Sequence, residues 1–252
     1  MPIKIGAIEA LLRYPVKSMA GESLEAVDLG WHGLEGDRRL ALRRVDDQGG
    51  FPWLTASKLP DLVRFRPMRR GVLGATEPPT HVRTPEGEEL AAFGPELAAE
   101  IARRSGVSVE MAYLNRGIFD EASVSVIAAT TVGAVCGAAS QPADVRRFRP
   151  NLLLATTRAV PFEEDRWVGG VLSFGDDDKA PAIYVTNRDE RCSMVNIDPD
   201  SALLCADVLK ALVKSRENKA GVYGAVVRKG RLSVGQSVYF EPTSASETGC
   251  VG

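Results

Sequence analysis

The chain has 252 residues, of which 44% are hydrophobic and 25% charged, as in ordinary globular proteins with one large domain or two packed ones. Its 31 Lys and Arg residues nearly balance its 33 Asp and Glu residues. This balance excludes a general nucleic-acid coat or a polybasic membrane binder, though not a local basic pocket. No apolar run approaches the ~20 residues of a bilayer span, and the first residues lack a signal-peptide layout. We therefore expect a soluble cytoplasmic protein that binds neither nucleic acid nor membrane.

Histidine and cysteine are both scarce. The two histidines, His32 and His81, are too far apart in sequence to suggest a histidine metal cage or an acid–base dyad. The four cysteines show no C-x-x-C spacing, which disfavours a zinc knuckle or an iron–sulfur cluster. A chain of this size can bury a full core, so a disulfide scaffold is not expected either. Any cysteine chemistry therefore depends on a single thiol.

The N-terminal half has the pattern of a β-rich unit. Apolar alternation predicts strands near 3–12, 24–29 and 38–45, then a hairpin over 81–93. A helix follows Pro95 and is expected to end at Gly106.

The pattern starts again near residue 123. We predict five further strands, at 124–127, 152–154, 183–186, 222–227 and 238–240. A short helix is expected at 132–139 with a threonine cap, and a longer one at 201–215. The last ten residues, 243–252, are small and polar, which predicts a disordered tail.

The segment 144–152, DVRRFRPNL, is the strongest local feature. Its proline favours an extended backbone at Arg149, and in an extended segment Arg147, Arg149 and Asn151 share one face. Two guanidiniums and an amide beside a buried strand suit an oxyanion such as phosphate. The alternative is that these arginines are surface residues paired with carboxylates of the same segment or of residues 163–165.

Cys192 lies in the sequence RCSMVNIDPD, between a predicted strand and a predicted helix rather than on an apolar face. An adjacent arginine favours the thiolate, which is both the nucleophile and the ligand of soft metals. Cys136 and Cys205 have the apolar surroundings of core residues, and Cys250 lies in the tail. Cys192 is therefore the candidate for cysteine chemistry.

Two N-terminal segments could complete an anion pocket. The loop YPVKS places Lys17 and Ser18 at the end of a predicted strand, and GDRR places Arg38 at the start of another. Each signal is weak alone, because a solvated Lys or Arg at a strand end is common.

Taken together, these segments resemble the MOSC family (molybdenum cofactor sulfurase C-terminal domain), in the branch with an N-terminal MOSC β-barrel domain that includes the mitochondrial amidoxime-reducing component. The matching stretches, in family order, are RYPVKSMAGE, GLEGDRR, DVRRFRPNLLL, FEEDRW, RCSMVNIDPD and GVYGAVVRKGRLSVGQSV. The resemblance implies an α+β fold that is mostly β. In it, an N-terminal β-barrel-like domain at 1–118 packs closely on a barrel-like MOSC domain at 119–242.

The resemblance also implies a molybdenum cofactor, Mo-molybdopterin, in a site between the two halves that is open enough for purified protein to lose it. By position, Cys192 is the thiolate ligand to molybdenum and the catalytic residue. The implied cofactor-binding residues are Lys17, Ser18, Arg38, Thr130, Thr131, Arg147, Arg149 and Asn151. After the cysteine, amidoxime-reducing relatives usually have Thr-Thr-Val-Asp-Pro where this chain has Ser-Met-Val-Asn-Ile-Asp-Pro. This difference concerns substrate preference rather than the thiolate.

These features favour an oxidoreductase that removes oxygen from small N-hydroxylated or N-oxide compounds. Electrons are expected from a separate ferredoxin or flavin-reductase type of protein, because the chain has neither iron–sulfur cysteines nor a flavin motif. One alternative is a sulfur carrier that receives a persulfide on Cys192 from a cysteine desulfurase, and another is a cofactor-binding or storage module. Hydrolysis and nucleotide binding are disfavoured, since G-x-S-x-G, G-x-G-x-x-G and Walker motifs are missing.

Overall fold

The computed structural model describes residues 2–71 and 77–243, which form sixteen strands and three α-helices. Strand makes up 37% of the structure and helix 20%, so the fold is mostly β, as predicted. The strands are Ile3–Arg13 (β1), Glu22–Leu24 (β2), Ala26–Gly30 (β3), Gly33–Leu34 (β4), Leu40–Arg44 (β5), Arg66–Met68 (β6), His81–Arg83 (β7), Glu89–Ala91 (β8), Val109–Tyr113 (β9), Val124–Ala128 (β10), Leu152–Thr156 (β11), Gly170–Phe174 (β12), Ala182–Glu190 (β13), Lys219–Arg228 (β14), Gly230–Ser233 (β15) and Ser237–Pro242 (β16). The α-helices are Pro95–Ser105 (α1), Ala129–Ala138 (α2) and Asp207–Arg216 (α3).

Seven strands close into a barrel in the order β1, β11, β10, β14, β13, β12 and β16, with β16 pairing back onto β1. The β10–β11 pair is parallel, and the other barrel pairs are antiparallel. Its hydrophobic core includes the fully buried side chains of Val126, Leu154 and Phe174. Because β1 comes from the start of the chain, both halves of the sequence contribute to the barrel. The division at residues 118 and 119 stays a prediction.

Residues 40–113, which we call the N-terminal unit, have a separate hydrophobic core. This unit contains the β5–β9 pair, the β6–β7–β8 sheet and α1. The helix buries Leu97 and Ile101 and ends at Gly106, whose φ of 75° is the left-handed value that favours glycine at this position. Ile197 from the second half of the chain joins this core, so the N-terminal unit packs directly against the C-terminal half.

Helices α2 and α3 cover part of the outer face of the barrel. Their apolar side chains form a third cluster with outward-facing residues of β10 and β11, such as Ile127 and Leu153. Among the described residues, no helix is both long and apolar enough to cross a bilayer.

Both predicted helices of the second half begin elsewhere than expected. The helix predicted at 201–215 begins at Asp207, because the Asp198 carboxylate accepts hydrogen bonds from Asp200 and Ser201 and holds residues 198–201 in a turn. The helix predicted at 132–139 begins earlier, at Ala129, without a side-chain cap. The disorder predicted for 243–252 concerns residues that, except for Thr243, lie outside the described residues.

Candidate functional site

A cavity of about 400 Å³ lies between the N-terminal unit, the 14–18 loop and the outer face of the barrel. Six of the nine residues predicted from the sequence line it: Lys17, Ser18, Arg38, Arg147, Arg149 and Cys192. The other three, Thr130, Thr131 and Asn151, do not line it. The fold therefore gathers one thiol and most of the predicted cationic groups from segments far apart in sequence.

Two arginines from opposite halves of the chain share one aromatic ring. The guanidiniums of Arg38 and Arg149 lie over Tyr14, with centroid distances of 4.9 and 4.1 Å. The Arg38 side chain also donates a hydrogen bond from Nη2 to the backbone carbonyl of Arg149 at 2.9 Å. Burial raises the pKa of the Tyr14 phenol to about 12, so the ring stays neutral beneath the two cations at pH 7.

Among the described cations that line this cavity, Arg149 has no carboxylate partner. Its Nη1 donates to the carbonyl of Met19 at 2.7 Å, whereas its Nη2 is buried without a hydrogen-bond partner among the described residues. Burial lowers the pKa of Arg149 to about 10, which leaves the guanidinium cationic at neutral pH. A buried cation with an unused donor in a cavity wall suits an anionic ligand, and the molybdenum cofactor carries such a group in its phosphate.

The backbone around Arg149 differs from the prediction. The residue has a φ of 51°, in the left-handed region, and residues 145–147 form a turn of 3₁₀ helix, so the predicted extended segment is wrong. The Asp144 carboxylate starts this turn by accepting the backbone N–H of Arg146. The arginines therefore reach the cavity through a turn rather than from one face of a strand.

The neighbouring arginines are paired with carboxylates. Arg147 is buried and donates from Nη2 to Asp198 at 2.8 Å, while its Nε has no hydrogen-bond partner in the described part of the chain. Arg146 is exposed and forms ion pairs with Asp144 and Asp200. This is the arrangement expected if the arginines of this segment were surface residues. Of the three arginines in this segment, Arg146 is the surface ion-pair residue, whereas Arg147 and Arg149 line the cavity.

Asn151 has a structural position next to the cavity. It is buried, and its Nδ2 donates to the Asp37 carboxylate at 3.0 Å and to the Leu12 carbonyl at 3.3 Å. Its Oδ1 accepts the backbone N–H of Ser125 at 3.1 Å. Asp37, also fully buried, accepts from the backbone of Tyr14 and from Arg38. This network fixes the 14–18 loop and Arg38 against the barrel.

Lys17 and Ser18 lie on the loop between β1 and β2. The Lys17 ammonium is buried, forms an ion pair with Asp120 at 2.7 Å and lies 5.7 Å from the centre of the Phe51 ring. Burial lowers the pKa of Lys17, against the opposing effect of Asp120. Ser18 has a φ of 69°, so the loop reverses direction where it meets the cavity.

The predicted threonines are engaged elsewhere. The Thr131 hydroxyl is buried, donates to Glu164 at 2.9 Å and accepts the backbone N–H of Phe162 at 2.7 Å. Thr130 donates to the carbonyl of Val160. These hydroxyls tie the start of α2 to the segment 160–164 and do not line the cavity, and their predicted contact with the cofactor stays a prediction.

Cys192 is exposed in the cavity wall and precedes the 3₁₀ helix Ser193–Asn196. The Ser193 hydroxyl lies 3.2 Å from that of Ser57, which joins this segment to the N-terminal unit. Cys136 is buried in the α2–α3 cluster, as predicted for a core residue, and Cys205 is partly buried beside it. Cys192 is thus the exposed free thiol among the described residues.

Arg191 does not have the role expected from its position beside the cysteine. Its guanidinium is buried and donates to the carbonyls of Ala220 and Phe148 at 2.7 and 2.6 Å, and Nη2 lies 2.8 Å from Asp189. A Cβ at Gly221 would lie 2.8 Å from that same Nη2. Arg191 therefore holds the strand end in place, and the structure shows no contact between its guanidinium and the thiol.

Several cavity residues were not identified from the sequence. Asp120, Ser125, Asp189 and Tyr223 also line the wall. Ser125, Asp189 and Tyr223 lie on the strands β10, β13 and β14, whereas Asp120 lies in the loop between β9 and β10, so no motif spacing in the sequence links the four. A second cavity, of about 300 Å³, shares Arg147, Arg149 and Met194 with the first.

The structure thus combines a closed β-barrel, an attached β-rich unit and, between them, a cavity with several cationic side chains and one exposed thiol. The model of the MOSC domain matches residues 113–239, and that of the MOSC N-terminal beta barrel domain matches residues 5–138. The chain belongs to the MOSC domain family, which is linked to molybdenum-cofactor-binding proteins.

The solved structures that resemble this chain are distant from it in sequence. The YUAD protein from Bacillus subtilis is 12% identical over 97% of this chain and 100% of its own, with a TM-score of 0.51. YiiM from Geobacillus stearothermophilus is 15% identical over 49% of this chain and 56% of its own, with a TM-score of 0.37. No curated protein matches the chain.

Proposed function

We propose that the protein is a molybdenum-cofactor oxidoreductase that reduces small N-hydroxylated or N-oxide compounds, with Cys192 as the thiolate ligand to molybdenum. The observation that carries the proposal is that one cavity wall contains both the exposed Cys192 thiol and the Arg149 guanidinium, which has no carboxylate partner within residues 2–71 and 77–243. A soft metal and an anionic anchor on the same cofactor would use both groups.

When bound, the cofactor would supply the two-electron chemistry, and the sulfur atoms of its dithiolene would bind the molybdenum. Among residues 2–71 and 77–243, no group of three or more His, Cys, Asp and Glu side chains could hold a metal ion. Cys192 would thus be the single protein ligand, and the remaining ligands must come from the cofactor. This agrees with a wall rich in cations for the cofactor's phosphate rather than in metal ligands.

The cations of the wall would hold and orient the anionic end. Arg149 offers its unused Nη2, and Arg38 is fixed beside it through Tyr14 and the Arg149 carbonyl. Lys17, buried and close to Asp120, adds a charge from the 14–18 loop. Because Asp37 and Asn151 fix this loop to the barrel, the cationic groups are in place before a ligand binds. Electrons would come from a separate donor protein.

The first experiment measures molybdenum and pterin in protein freshly purified from cells that make the cofactor. We expect near-stoichiometric molybdenum in the wild type, its loss in Cys192→Ala, and its retention in Cys205→Ala, which removes a partly buried thiol outside the cavity. Wild-type protein without molybdenum, despite a competent host, would count against the proposal.

The second experiment measures turnover. Protein with full molybdenum content is mixed with a chemical reductant and a panel of N-hydroxylated and N-oxide compounds. Reduction of at least one compound, absent in Cys192→Ala, is the expected result. No turnover of any compound removes the oxidoreductase assignment.

The exposure of Cys192 also favours a second candidate, a sulfur carrier, because a desulfurase could reach the thiol. The Cys192 thiolate would attack the terminal sulfur of the donor's persulfide, and the donor thiolate would leave. Mass spectrometry after incubation with a cysteine desulfurase and cysteine tests this: a mass increase of one sulfur atom on the Cys192 peptide supports the carrier, and an unmodified peptide rejects it.

A further inference from the structure

The second cavity, of about 300 Å³, lies between residues 12–23, the N-terminal unit and the segments 146–149 and 194–200. It meets the first cavity at Arg147 and Arg149, which line both. Cys192 lines the first cavity but not the second, so the metal chemistry proposed above does not account for the second one. The second cavity therefore needs an explanation of its own.

Three side chains in the wall of the second cavity each have a hydrogen-bond donor that no group in the described part of the chain accepts from. These donors are the hydroxyl of Tyr14, Nε of Arg147 and Nη2 of Arg149, and all three are buried. A buried donor without an acceptor is costly, and native structures contain few of them. Three such donors in one wall indicate an acceptor that the chain itself does not supply.

Ion pairs explain the other buried polar atoms without a hydrogen-bond partner. Within residues 2–71 and 77–243, all of those atoms belong to side chains in ion pairs, such as Asp189 with Arg191, where a neighbouring opposite charge offsets the missing bond. Tyr14 and Arg149 form no ion pair within the same ranges, and Arg147 forms its ion pair through Nη2 and leaves Nε unused. The explanation therefore fails for the wall of the second cavity.

The three unused groups share one chemistry, since each can donate a hydrogen bond. The guanidiniums of Arg147 and Arg149 only donate. Because burial raises the pKa of Tyr14 to about 12, its hydroxyl keeps its proton at pH 7 and can donate as well. A ligand that matches three donors, two of them cationic, carries negative charge and several acceptor oxygens. A phosphate group has both properties.

The charges of the wall also favour an anion. The wall contains two carboxylates, Glu22 and Asp200, and both are already paired with arginines. Arg66 is exposed, lines the second cavity alone and forms no ion pair among the described residues. Together with Arg149, it leaves the wall with positive charge that the chain does not neutralise.

Much of the remaining wall is apolar. The apolar side chains are those of Leu12, Val63, Pro67, Met194, Ile197 and Pro199. An apolar wall with a few converging polar groups is typical of a site for a small organic molecule, and a volume of about 300 Å³ is at the small end of such sites. The cavity thus suits a phosphate that is attached to a small organic body.

We propose that the second cavity is a binding site for a small phosphorylated molecule, whose phosphate accepts hydrogen bonds from Tyr14, Arg147 and Arg149. This site is separate from that of the cofactor and goes beyond the proposed function. Because Arg147 and Arg149 line both cavities, an occupant of one cavity affects binding in the other through these guanidiniums.

The ligand test uses phenyl phosphate, inorganic phosphate and the uncharged compound phenol as probes. Their binding to the full-length protein is measured by calorimetry at low ionic strength in a phosphate-free buffer. We expect phenyl phosphate to bind at least about tenfold more tightly than phenol, because only the phosphate accepts charge-assisted hydrogen bonds. It should also bind more tightly than inorganic phosphate, because its ring covers the apolar wall. An affinity no higher than that of either other probe overturns the proposal.

A conservative variant tests the hydroxyl of Tyr14. Tyr14→Phe keeps the ring beneath Arg38 and Arg149 and removes the unused donor, so phenyl phosphate should bind about tenfold more weakly. Tyr113→Phe, at an exposed position that lines neither cavity, is the matched control and should keep the wild-type affinity. Equal affinities of the two variants overturn the proposal.

Two further variants show which cavity holds the phosphate, and they decide the test if Tyr14→Phe does not fold. Arg66→Gln removes an exposed cation of the second cavity alone and should weaken the binding of phenyl phosphate about two- to fivefold. Lys17→Gln removes a cation of the first cavity alone and should have the smaller effect. No loss in Arg66→Gln, or a larger loss in Lys17→Gln, overturns the proposal.

A last comparison separates a free phosphorylated molecule from the phosphate of the cofactor. Phenyl phosphate is titrated into protein from cells that make the cofactor and into protein from cells that do not, and molybdenum is measured in both. We expect binding to both preparations. Binding to cofactor-free protein alone would mean that the cofactor fills the second cavity, and it overturns the separate site. Protein that binds phenyl phosphate but never contains molybdenum supports the site and counts against the proposed function.

Discussion

Arg38 and Arg149 are joined directly: Nη2 of Arg38 donates a hydrogen bond to the backbone carbonyl of Arg149 at 2.9 Å, across 111 positions of sequence. Both residues have left-handed backbones, with φ of 48° and 51°, and both guanidiniums lie over the Tyr14 ring. The two guanidiniums are thus held close together over a buried aromatic ring. Their repulsion is reduced by the neutral ring and by Asp37, which pairs with Arg38. An anionic ligand would reduce it further.

Arg149→Gln is therefore expected to weaken anion binding while keeping the fold. The variant loses the cavity cation for which the described residues provide no carboxylate partner, and a charge-assisted hydrogen bond is worth about 1.5–3 kcal/mol, roughly ten- to a hundredfold in affinity. Cofactor content, measured as molybdenum and pterin per chain, should fall accordingly. Arg158→Gln, which changes an exposed arginine, is the control and should keep the wild-type content. Equal content in both variants would show that Arg149 is not the anchor.

Asn151→Ala is expected to destabilise the protein by about 2–4 kcal/mol. The substitution leaves the N–H of Ser125 and the carbonyl of Leu12 without their side-chain partner and takes one donor from the buried Asp37. Urea unfolding followed by circular dichroism measures the free energy. Asn115→Ala, at an exposed position, should stay within about 0.5 kcal/mol of the wild type. A loss no larger than that of the control would show that the network does not hold the halves together.

Gly221→Ala tests the packing behind the cavity. The glycine has a φ of 82°, and a Cβ would lie 2.8 Å from both Nη2 of Arg191 and the carbonyl oxygen of Val126. Gly235 has nearly the same φ, 81°, but open space around it, so Gly235→Ala costs only the backbone strain of roughly 1 kcal/mol. Gly221→Ala should cost about 1–3 kcal/mol more in urea unfolding. Equal losses in the two variants would mean that Arg191 moves aside freely.

Local sequence patterns predicted α1 and most of the longer strands, but not β4, β6, β9, β12 and β15, of which β12 belongs to the barrel. Ile3–Arg13 and Val124–Ala128 form strands because apolar side chains fill their core-facing positions, and α1 ends at Gly106 where the left-handed φ suits glycine. The start of α3 was mispredicted because Leu203 and Leu204 continue the helical apolar pattern, although both side chains are largely exposed. Hydrogen bonds to Asp198 determine that turn, and periodicity carries no information about them.

The candidate site was predictable where residue type alone carries the chemistry. Cys192, Arg149 and Lys17 line one cavity as expected. Asp189 and Tyr223 were missed because their position depends on the register shift in β13, which leaves no local mark in the sequence. Thr130 and Thr131 were predicted to contact the cofactor because they lie at the start of a helix, which was expected to point towards the cofactor site. In the fold, the start of α2 is instead bonded to Glu164 and Val160.

The buried phenol of Tyr14 predicts a loss of stability in alkali. Its pKa is about 12 in the folded protein against 10.0 for an unperturbed tyrosine, because burial disfavours the phenolate. The unfolded chain therefore releases this proton first, and the stability present below pH 10 is lost as the pH rises from 10 towards 12. The full effect is about 2–3 kcal/mol, and Tyr223 adds to it, whereas the lowered pKa values of Lys17 and Arg149 oppose it. Those three groups are still present in Tyr14→Phe, so the difference between its urea-unfolding curves and those of the wild type over this pH range reports the Tyr14 phenol together with its coupling to Arg149. Tyr113→Phe, at an exposed position, should follow the wild type, and parallel curves for all three proteins would show that the phenol is not protected by burial.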